Sequence, residues 1–322
     1  MRYFVIGGAG FIGSHVVRML LMENFPVVVY DNFSSGEEWH LETVIDNKNL
    51  SIIKGDIKEL DLVASSLKEE DVVYHFASNP DISKAITQPD IDFWEGTYLT
   101  NNVLEAMRCC GAKKLLYASG SGVYGEVGTE STKENCSDMR PISTYGASKL
   151  ACEALICSYS FMFGIDAAAF RFANVVGPNQ THGVGYDFTR RLLQNSHELS
   201  ILGDGTQDKS YIYVDDVISA MRLIEKKSLR GFDVYNVATM DSITVTEIAN
   251  VTAGILGLNN VNYLYSGGDR GWKGDVPVIR LDSSKIRSLG WKNKYTTKQA
   301  IHESIVSIYN DALQGKFSNW NA

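Results

Sequence analysis

Tyr145 and Lys149 stand four residues apart at the head of the apolar run from Leu150 to Phe163. On a helix that spacing places them on one face, one turn from each other. An ammonium beside a phenol favours the phenolate, so Tyr145 is a candidate to take a proton from a substrate hydroxyl and to return it. The same spacing also arises on ordinary solvated helices. Two other stretches give it weight: Gly7-Gly8-Ala9-Gly10-Phe11-Ile12-Gly13 near the N-terminus, and Ser119-Gly120-Ser121-Gly122-Val123-Tyr124-Gly125 shortly before the pair.

The glycine stretch comes after the apolar run Arg2 to Ile6, which reads as a buried strand, and opens the run Phe11 to Glu23, which reads as a helix. Gly7, Gly10 and Gly13 have the spacing G-x-x-G-x-x-G, a variant of the dinucleotide fingerprint. The first glycine permits a tight turn, the second lets the backbone approach a pyrophosphate, and the third allows close packing of helix on strand. The helix N-terminus adds free N–H donors. Asp31 ends the second strand, Val27 to Tyr30. It can accept hydrogen bonds from an adenosine ribose and would repel a 2′-phosphate, so NAD is the expected cofactor rather than NADP. Asp56, after a third strand from Leu50 to Ile53, could reach the adenine edge or simply form a turn after Gly55.

An α/β frame has to hold these groups. Asp71 to Phe76, Lys113 to Ala118 and Ala167 to Phe172 continue the strand series, and a long helix is expected from about Ile91 to Cys110. Continuous apolar strands separated by helices predict a doubly wound parallel sheet covered on both faces. The chain has 322 residues, 44% hydrophobic and 21% charged, which is ample for a large core and ordinary for a globular protein. A net charge of -8 with no basic run argues against a nucleic-acid surface, so an anionic ligand has to be gripped by local donors. No apolar stretch reaches the ~20 residues that span a bilayer. Met1 to Ile6 leads straight into the glycine turn, without room for a signal peptide. Cys109, Cys110, Cys136, Cys152 and Cys157 lack a metal-ligand spacing and read as reduced thiols of a cytoplasmic protein. The histidines include no His-x-x-x-His pair, so no metal site is expected.

Seen together, these motifs resemble the extended short-chain dehydrogenase/reductases, in the NAD-dependent sugar-nucleotide epimerase/dehydratase group, and most of all its UDP-glucose 4-epimerases. The resemblance covers nearly the whole chain. Gly7 to Gly13, Asp31 to Gly36, Phe76-Ala77-Ser78, Val123-Tyr124-Gly125 and Tyr145 to Lys149 come in the family's order. Arg171 to Pro178 and Gly203 to Tyr211 continue in the same order. It implies a Rossmann-like domain over residues 1–175 and about 213–238, with a smaller mixed α/β substrate domain over about 176–212 and 239–322. It further implies 4-epimerisation of a nucleotide sugar, in which Tyr145 takes the 4-hydroxyl proton as a hydride leaves C4, and both return after the 4-keto sugar has turned over. Lys149 would support Tyr145 and hold the nicotinamide ribose. Phe11, Ile12, Asn32, Ser35, Gly36, Ile57, Phe76, Ala77, Ser78 and Phe172 would line the cofactor beside the glycines, Asp31 and Asp56. Asn174 and Lys209 would meet the nucleotide diphosphate, and Arg270 or Lys273 would add a second cation. Each of these basic residues also reads as an ordinary surface charge. Asp215-Asp216 reads as a helix N-cap rather than a catalytic pair.

Two positions depart from the family pattern. The residue three before Val123, usually Ser or Thr bonded to the reacting sugar oxygen, is Gly120; Ser121 or Ser119 is the expected substitute. Gly96 stands near where relatives often carry an Asn at the cofactor. The loop Gly120-Ser121-Gly122 has no carboxylate, whereas the 4,6-dehydratase branch carries an Asp-Glu pair there. Family members pair through two long helices per subunit into a four-helix bundle. The resemblance therefore implies a homodimer through Ile91 to Cys110 and Tyr145 to Phe163. A net dehydrogenase on a UDP- or GDP-linked sugar, and an NAD-bound protein that has lost its chemistry, remain the alternatives.

Overall fold

The computed structural model describes residues 1–227, 229–317 and 320. They divide into two compact units, residues 1–123, 139–171 and 218–235 forming the first, and residues 124–138, 172–217 and 236–322 the second.

The first unit is built on a seven-stranded, Rossmann-like sheet. Its strands are β1 (Arg2–Ile6), β2 (Val27–Asp31), β3 (Leu50–Lys54), β4 (Asp71–His75), β5 (Lys114–Gly120), β6 (Asp166–Phe172) and a last strand, Phe232–Val237. From that last strand the order runs β6, β5, β4, β1, β2, β3, and the pairings from β3 through to β5 are parallel. Phe4, Val5, Ile6, Val29, Tyr30, Val73 and Tyr74 are fully buried, because central parallel strands are covered on both faces. Edge strand β3 has only exposed and half-buried positions. The covering helices include α1 (Phe11–Met22), α2 (Leu60–Ser66), α3 (Leu99–Cys110) and α4 (Thr144–Phe163). Strand order reverses between β1 and β4, and ligands of such sheets bind at the carboxyl ends of the strands flanking that reversal.

The expected helix from Ile91 to Cys110 is present and uninterrupted, but one stretch of it is widened. Phe93–Tyr98 forms a π-helical turn, and α3 begins only at Leu99. The backbone at Gly96 comes so close to α4 that a Cβ there would lie 2.4 Å from Ser148 Oγ. A side chain at Gly96 would displace the Ser148 hydroxyl from its present place. The single-turn widening is the kind that re-aims residues near functional sites.

The second unit is mixed α/β. Helices Val184–Gln194, Val245–Ile255 and Thr297–Leu313 enclose a core that includes Phe188, Leu192, Ile248, Ile301 and Ile305. Short strands pair beside them, Asn174–Val176 with Tyr211–Tyr213 and Glu198–Ile201 with Asn262–Tyr265. Residues 124–138, placed with the first domain on sequence grounds, group with this unit instead. Thr132 exchanges backbone hydrogen bonds with the 280–282 segment, and the Tyr124 hydroxyl donates to Asn236 Oδ1 at 2.7 Å. Among the described residues no helix is long and apolar enough to cross a membrane.

Candidate functional site

At the β1–α1 turn the glycines fall into two kinds. Gly7 has φ +75, and a Cβ on it would sit 2.8 Å from Ala77 N; one on Gly13 would sit 2.1 Å from Gly7 O. Both are fixed by the chain's own packing. Gly8, outside the motif spacing, is equally confined, since its Cβ would lie 2.9 Å from a Val29 methyl. Gly10 is different: a Cβ there would meet a single protein atom, Gly7 O, at 3.2 Å. Gly10 is the least confined of the four, and its bareness suits a group that approaches from outside. The first helical bond of α1 runs from Ser14 N to Gly10 O at 3.0 Å, which leaves the amides of Phe11, Ile12 and Gly13 without intrahelical acceptors. These are the donors a pyrophosphate takes.

Asp31 closes β2 and is 8% exposed. Its carboxylate accepts from Ala9 N at 2.9 Å and Phe33 N at 2.8 Å, which orients it over the glycine turn. Burial raises its pKa, against the lowering effect of those two amides. Each carboxylate oxygen retains a lone pair for a ribose hydroxyl. Asn32, Ser34 and Ser35 are exposed, and Gly36 folds back so that a Cβ on it would touch Ala9 and Asp31. Asp56 forms the expected turn, Oδ1 accepting from Lys58 N at 2.9 Å, while Oδ2 accepts from Asn32 Nδ2 at 3.2 Å. Asn102 on α3 holds the carbonyl of Ile57 at 3.0 Å. Phe76, Ala77 and Ser78 leave β4 half-buried, beside Gly7.

The second cluster lies at the head of α4. Ser143 caps the helix, its hydroxyl accepting from Gly146 N at 3.1 Å, a start one residue earlier than the apolar pattern indicated. Tyr145 is half-buried and Lys149 only 4% exposed. The Lys149 ammonium donates to Ala118 O at 2.8 Å and lies 5.0 Å from the ring centre of Tyr117 and 5.5 Å from that of Tyr145. Among the described residues it has no other acceptor and no carboxylate partner, so two of its three N–H donors remain for ligand hydroxyls. Gly120 and Gly122 lie against the Tyr145 ring, a Cβ on either falling 4.0 Å from a ring carbon. Ser121, half-buried between them, makes no hydrogen bond to the described residues. Ser119 does not share that freedom. Its hydroxyl donates to Glu153 Oε1 at 2.5 Å inside the core, so the expectation that it contacts substrate loses its donor to a structural bond.

Glu153 also takes Arg171, at 2.6 Å to Oε2, and both are 3% exposed. The motifs do not announce this buried pair. The available signal was a carboxylate four residues after Lys149, on the same helix face. Phe172 comes next at 5% exposure.

The remaining expected residues lie in the second unit. Asn174 donates its side-chain amide to Ser210 O at 3.1 Å. Lys209 and Arg270 are not bare surface charges. Lys209 forms an ion pair with Asp275, and Arg270 pairs with Glu126 at 3.0 Å and Asp269 at 3.2 Å. Arg280, not anticipated, joins Asp208 at 2.6 Å. The reading of Asp215-Asp216 as a helix start holds in part: both lie in the first turn of helix Val214–Lys226, where the dipole favours them, rather than at its cap. Buried Asp216 accepts from Lys294 N at 2.8 Å and Tyr295 N at 3.2 Å.

Residues 3–238 match the family described as NAD dependent epimerase/dehydratase. The UDP-glucose 4-epimerase of Mycolicibacterium smegmatis is 30% identical over 95% of this chain and 97% of that protein. A crystal structure of a UDP-galactose 4-epimerase is 36% identical, covers 97% of this chain and 99% of its own, and superposes with a TM-score of 0.87. The dTDP-glucose 4,6-dehydratase of Streptomyces venezuelae, solved with NAD bound, reaches a TM-score of 0.89 at 26% identity, over 99% of this chain and 100% of that one.

Proposed function

Because the chain belongs to the NAD-dependent epimerase/dehydratase family, whose cofactor is NAD, we propose that it epimerises a nucleotide sugar of the UDP-glucose/UDP-galactose type at C4. The observation that carries this reading is the loop beside Tyr145. Gly120, Ser121 and Gly122 touch or flank the phenol ring without offering a carboxylate. Elimination of water needs a second acid and base near the sugar's C5 and C6. Epimerisation needs a single proton carrier at the 4-hydroxyl, and Tyr145 supplies one.

Bound NAD supplies a reversible hydride acceptor. The chain's own residues do the rest. Phe11, Ile12 and Gly13 amides hold the pyrophosphate, Asp31 the adenosine ribose, and the two spare donors of Lys149 the nicotinamide ribose and the Tyr145 oxygen. Tyr145 acts as the phenolate when it accepts the 4-hydroxyl proton, its negative charge balanced by the buried ammonium until the transfer neutralises it. Ser121 donates to the same sugar oxygen. In the second unit Asn174, Lys209 and Arg270 meet the diphosphate, whose charge replaces Asp275, Glu126 and Asp269 as the cations' partner. Exposed Phe161 and Met162 on α4, 93% and 68% accessible, favour pairing of two copies through α3 and α4. A monomer in analytical ultracentrifugation would overturn that pairing.

The decisive experiment offers purified protein a panel of UDP- and GDP-sugars and follows C4 configuration by NMR together with NADH absorbance. Interconversion of C4 epimers with no NADH build-up is expected. Stoichiometric NADH, or a 4-keto-6-deoxy product, would replace this reading with a dehydrogenase or a dehydratase.

A further inference from the structure

Asp92 immediately precedes the π-helical turn and is 1% exposed. Among the described residues it has no cationic partner, although a buried carboxylate is costly unless hydrogen bonds replace its water. Three bonds hold the residue in place. Oδ2 accepts from Thr144 Oγ1 at 2.6 Å, Oδ1 from Asn79 Nδ2 at 2.8 Å, and the backbone carbonyl from Ser148 Oγ at 2.7 Å. Ser148 also meets Thr97 Oγ1 at 2.9 Å. The positive end of α4 adds a favourable field for the carboxylate.

These partners matter because of their neighbours along the chain. Thr144 precedes Tyr145, Ser148 precedes Lys149, and Asn79 is the next residue after Ser78 of the cofactor-lining segment. The Asp92 carboxylate thus grips the neighbour of Tyr145 and ties it to the loop leaving β4, while the backbone carbonyl of the same residue holds the neighbour of Lys149. The Gly96 approach brings the π turn against Ser148 on the same side.

We propose that Asp92 is a positioning residue, fixing the height and rotation of the first turn of α4 so that Tyr145 and Lys149 meet cofactor and substrate in register. This rests on the reading of Tyr145 as the proton carrier. Asp92 touches no reacting atom. It acts through Thr144 and Ser148, and a small misplacement of a proton carrier is enough to slow a reaction strongly.

The test compares Asp92→Ala, Asp92→Asn, Thr144→Val and the Asp92→Ala/Thr144→Val double variant with Tyr145→Phe, as NAD-loaded enzyme. Two readouts are needed: amide hydrogen exchange over residues 144–150, and kcat and KM with the nucleotide sugar that proves active. Asp92→Ala is expected to speed exchange in that segment and to lower kcat about ten- to a hundredfold, with KM changed less than about threefold. Thr144→Val should give a smaller loss in the same direction, and the double variant no more loss than Asp92→Ala alone, because one bond joins the pair. Asp92→Asn retains one acceptor and should fall between. If Asp92→Ala does not fold, Thr144→Val, at an exposed position, carries both readouts. Unchanged exchange would overturn the tether whatever the reaction. Faster exchange with normal kcat, while Tyr145→Phe is inactive, would overturn the positioning role and leave Tyr145 as proton carrier. An active Tyr145→Phe would remove the reading itself, and this proposal with it.

Discussion

The β1–α1 turn and the head of α4 are shaped by opposite means. At the turn the chain removes side chains: Gly7, Gly8 and Gly13 are bare because any Cβ would strike backbone or a core methyl, and Gly10 is the least confined of the four. At the helix head the chain adds buried polar groups and matches each one, with Asp92 under Thr144, Glu153 under Ser119 and Arg171, and Ala118 O under Lys149. A cradle made by subtraction presents backbone donors and tolerates any anion of the right shape. A cradle made by matched side chains fixes one side chain, Tyr145, in one place. The cofactor is suited to the first and the reaction to the second.

Tyr145→Phe should break the second region most severely. Turnover is expected to fall ~10²–10⁴-fold while NAD affinity changes little, measured by epimerisation rate and calorimetry on the same preparation. Near-normal turnover would assign the proton to another group. Next comes the turn, where the two kinds of glycine can be told apart. Gly13→Ala forces a carbon to within 2.1 Å of Gly7 O and should destabilise the fold by ~1–3 kcal/mol or more. Gly10→Ala should leave the melting temperature nearly unchanged and weaken NAD binding. If the two variants melted alike, the division drawn between them would fail.

Ser121→Ala probes the loop between the regions' chemistries. One neutral donor to a developing oxyanion is worth ~1–3 kcal/mol, so kcat should drop roughly ten- to a hundredfold. Ser119→Ala serves as control, and its loss should register in unfolding rather than in kcat, since its bond goes to Glu153. At the turn, Asp31 should make NAD bind over tenfold more tightly than NADP, a gap above ~1.4 kcal/mol. Equal affinities by calorimetry would free Asp31 of that role.

At neutral pH the smallest effect concerns His75, buried at the end of β4 with Nε2 3.1 Å from Thr100 Oγ1; it grows as the pH falls. Burial, and then the charge of Lys149, push its pKa down to about 3, so the folded state keeps the ring neutral. The unfolded chain takes up a proton below ~6.5, and the folded one does not until near the depressed value. His75 therefore contributes stability that is present above pH ~6.5 and is lost as pH falls from there, with a slope of up to ~1.4 kcal/mol per pH unit. Urea unfolding at several pH values should show His75→Gln with a flatter acid limb than the parent. Parallel limbs would mean that His75 does not carry this dependence.

The two regions also differ in how much of them was legible. Glycine requirements are local in sequence, and the strand before and helix after complete the pattern, so the turn, Asp31 and strands β1 to β6 were readable to within a residue or two. The tyrosine–lysine pair was readable for the same reason. Its support was not. Asp92 lies 52 residues from Thr144 and 56 from Ser148, and nothing in an aspartate's surroundings announces that it will be buried. The π-helical widening of the expected helix around Gly96, the capture of Ser119 by Glu153, and the pairing of Lys209 with Asp275 are likewise products of tertiary contact. Hydrophobic periodicity located the frame, while the polar groups that set the chemistry depended on partners far away in the chain.

Gly120 carries a consequence for how such a site can change over generations. A Cβ there would meet nothing nearer than the Tyr145 ring at 4.0 Å, and the residue does not have the left-handed backbone that would demand glycine. The fold is thus indifferent to a small side chain at this position. On the proposed reading of the sugar site, a replacement of residue 120 by serine is expected to change the contact with substrate while leaving the fold intact.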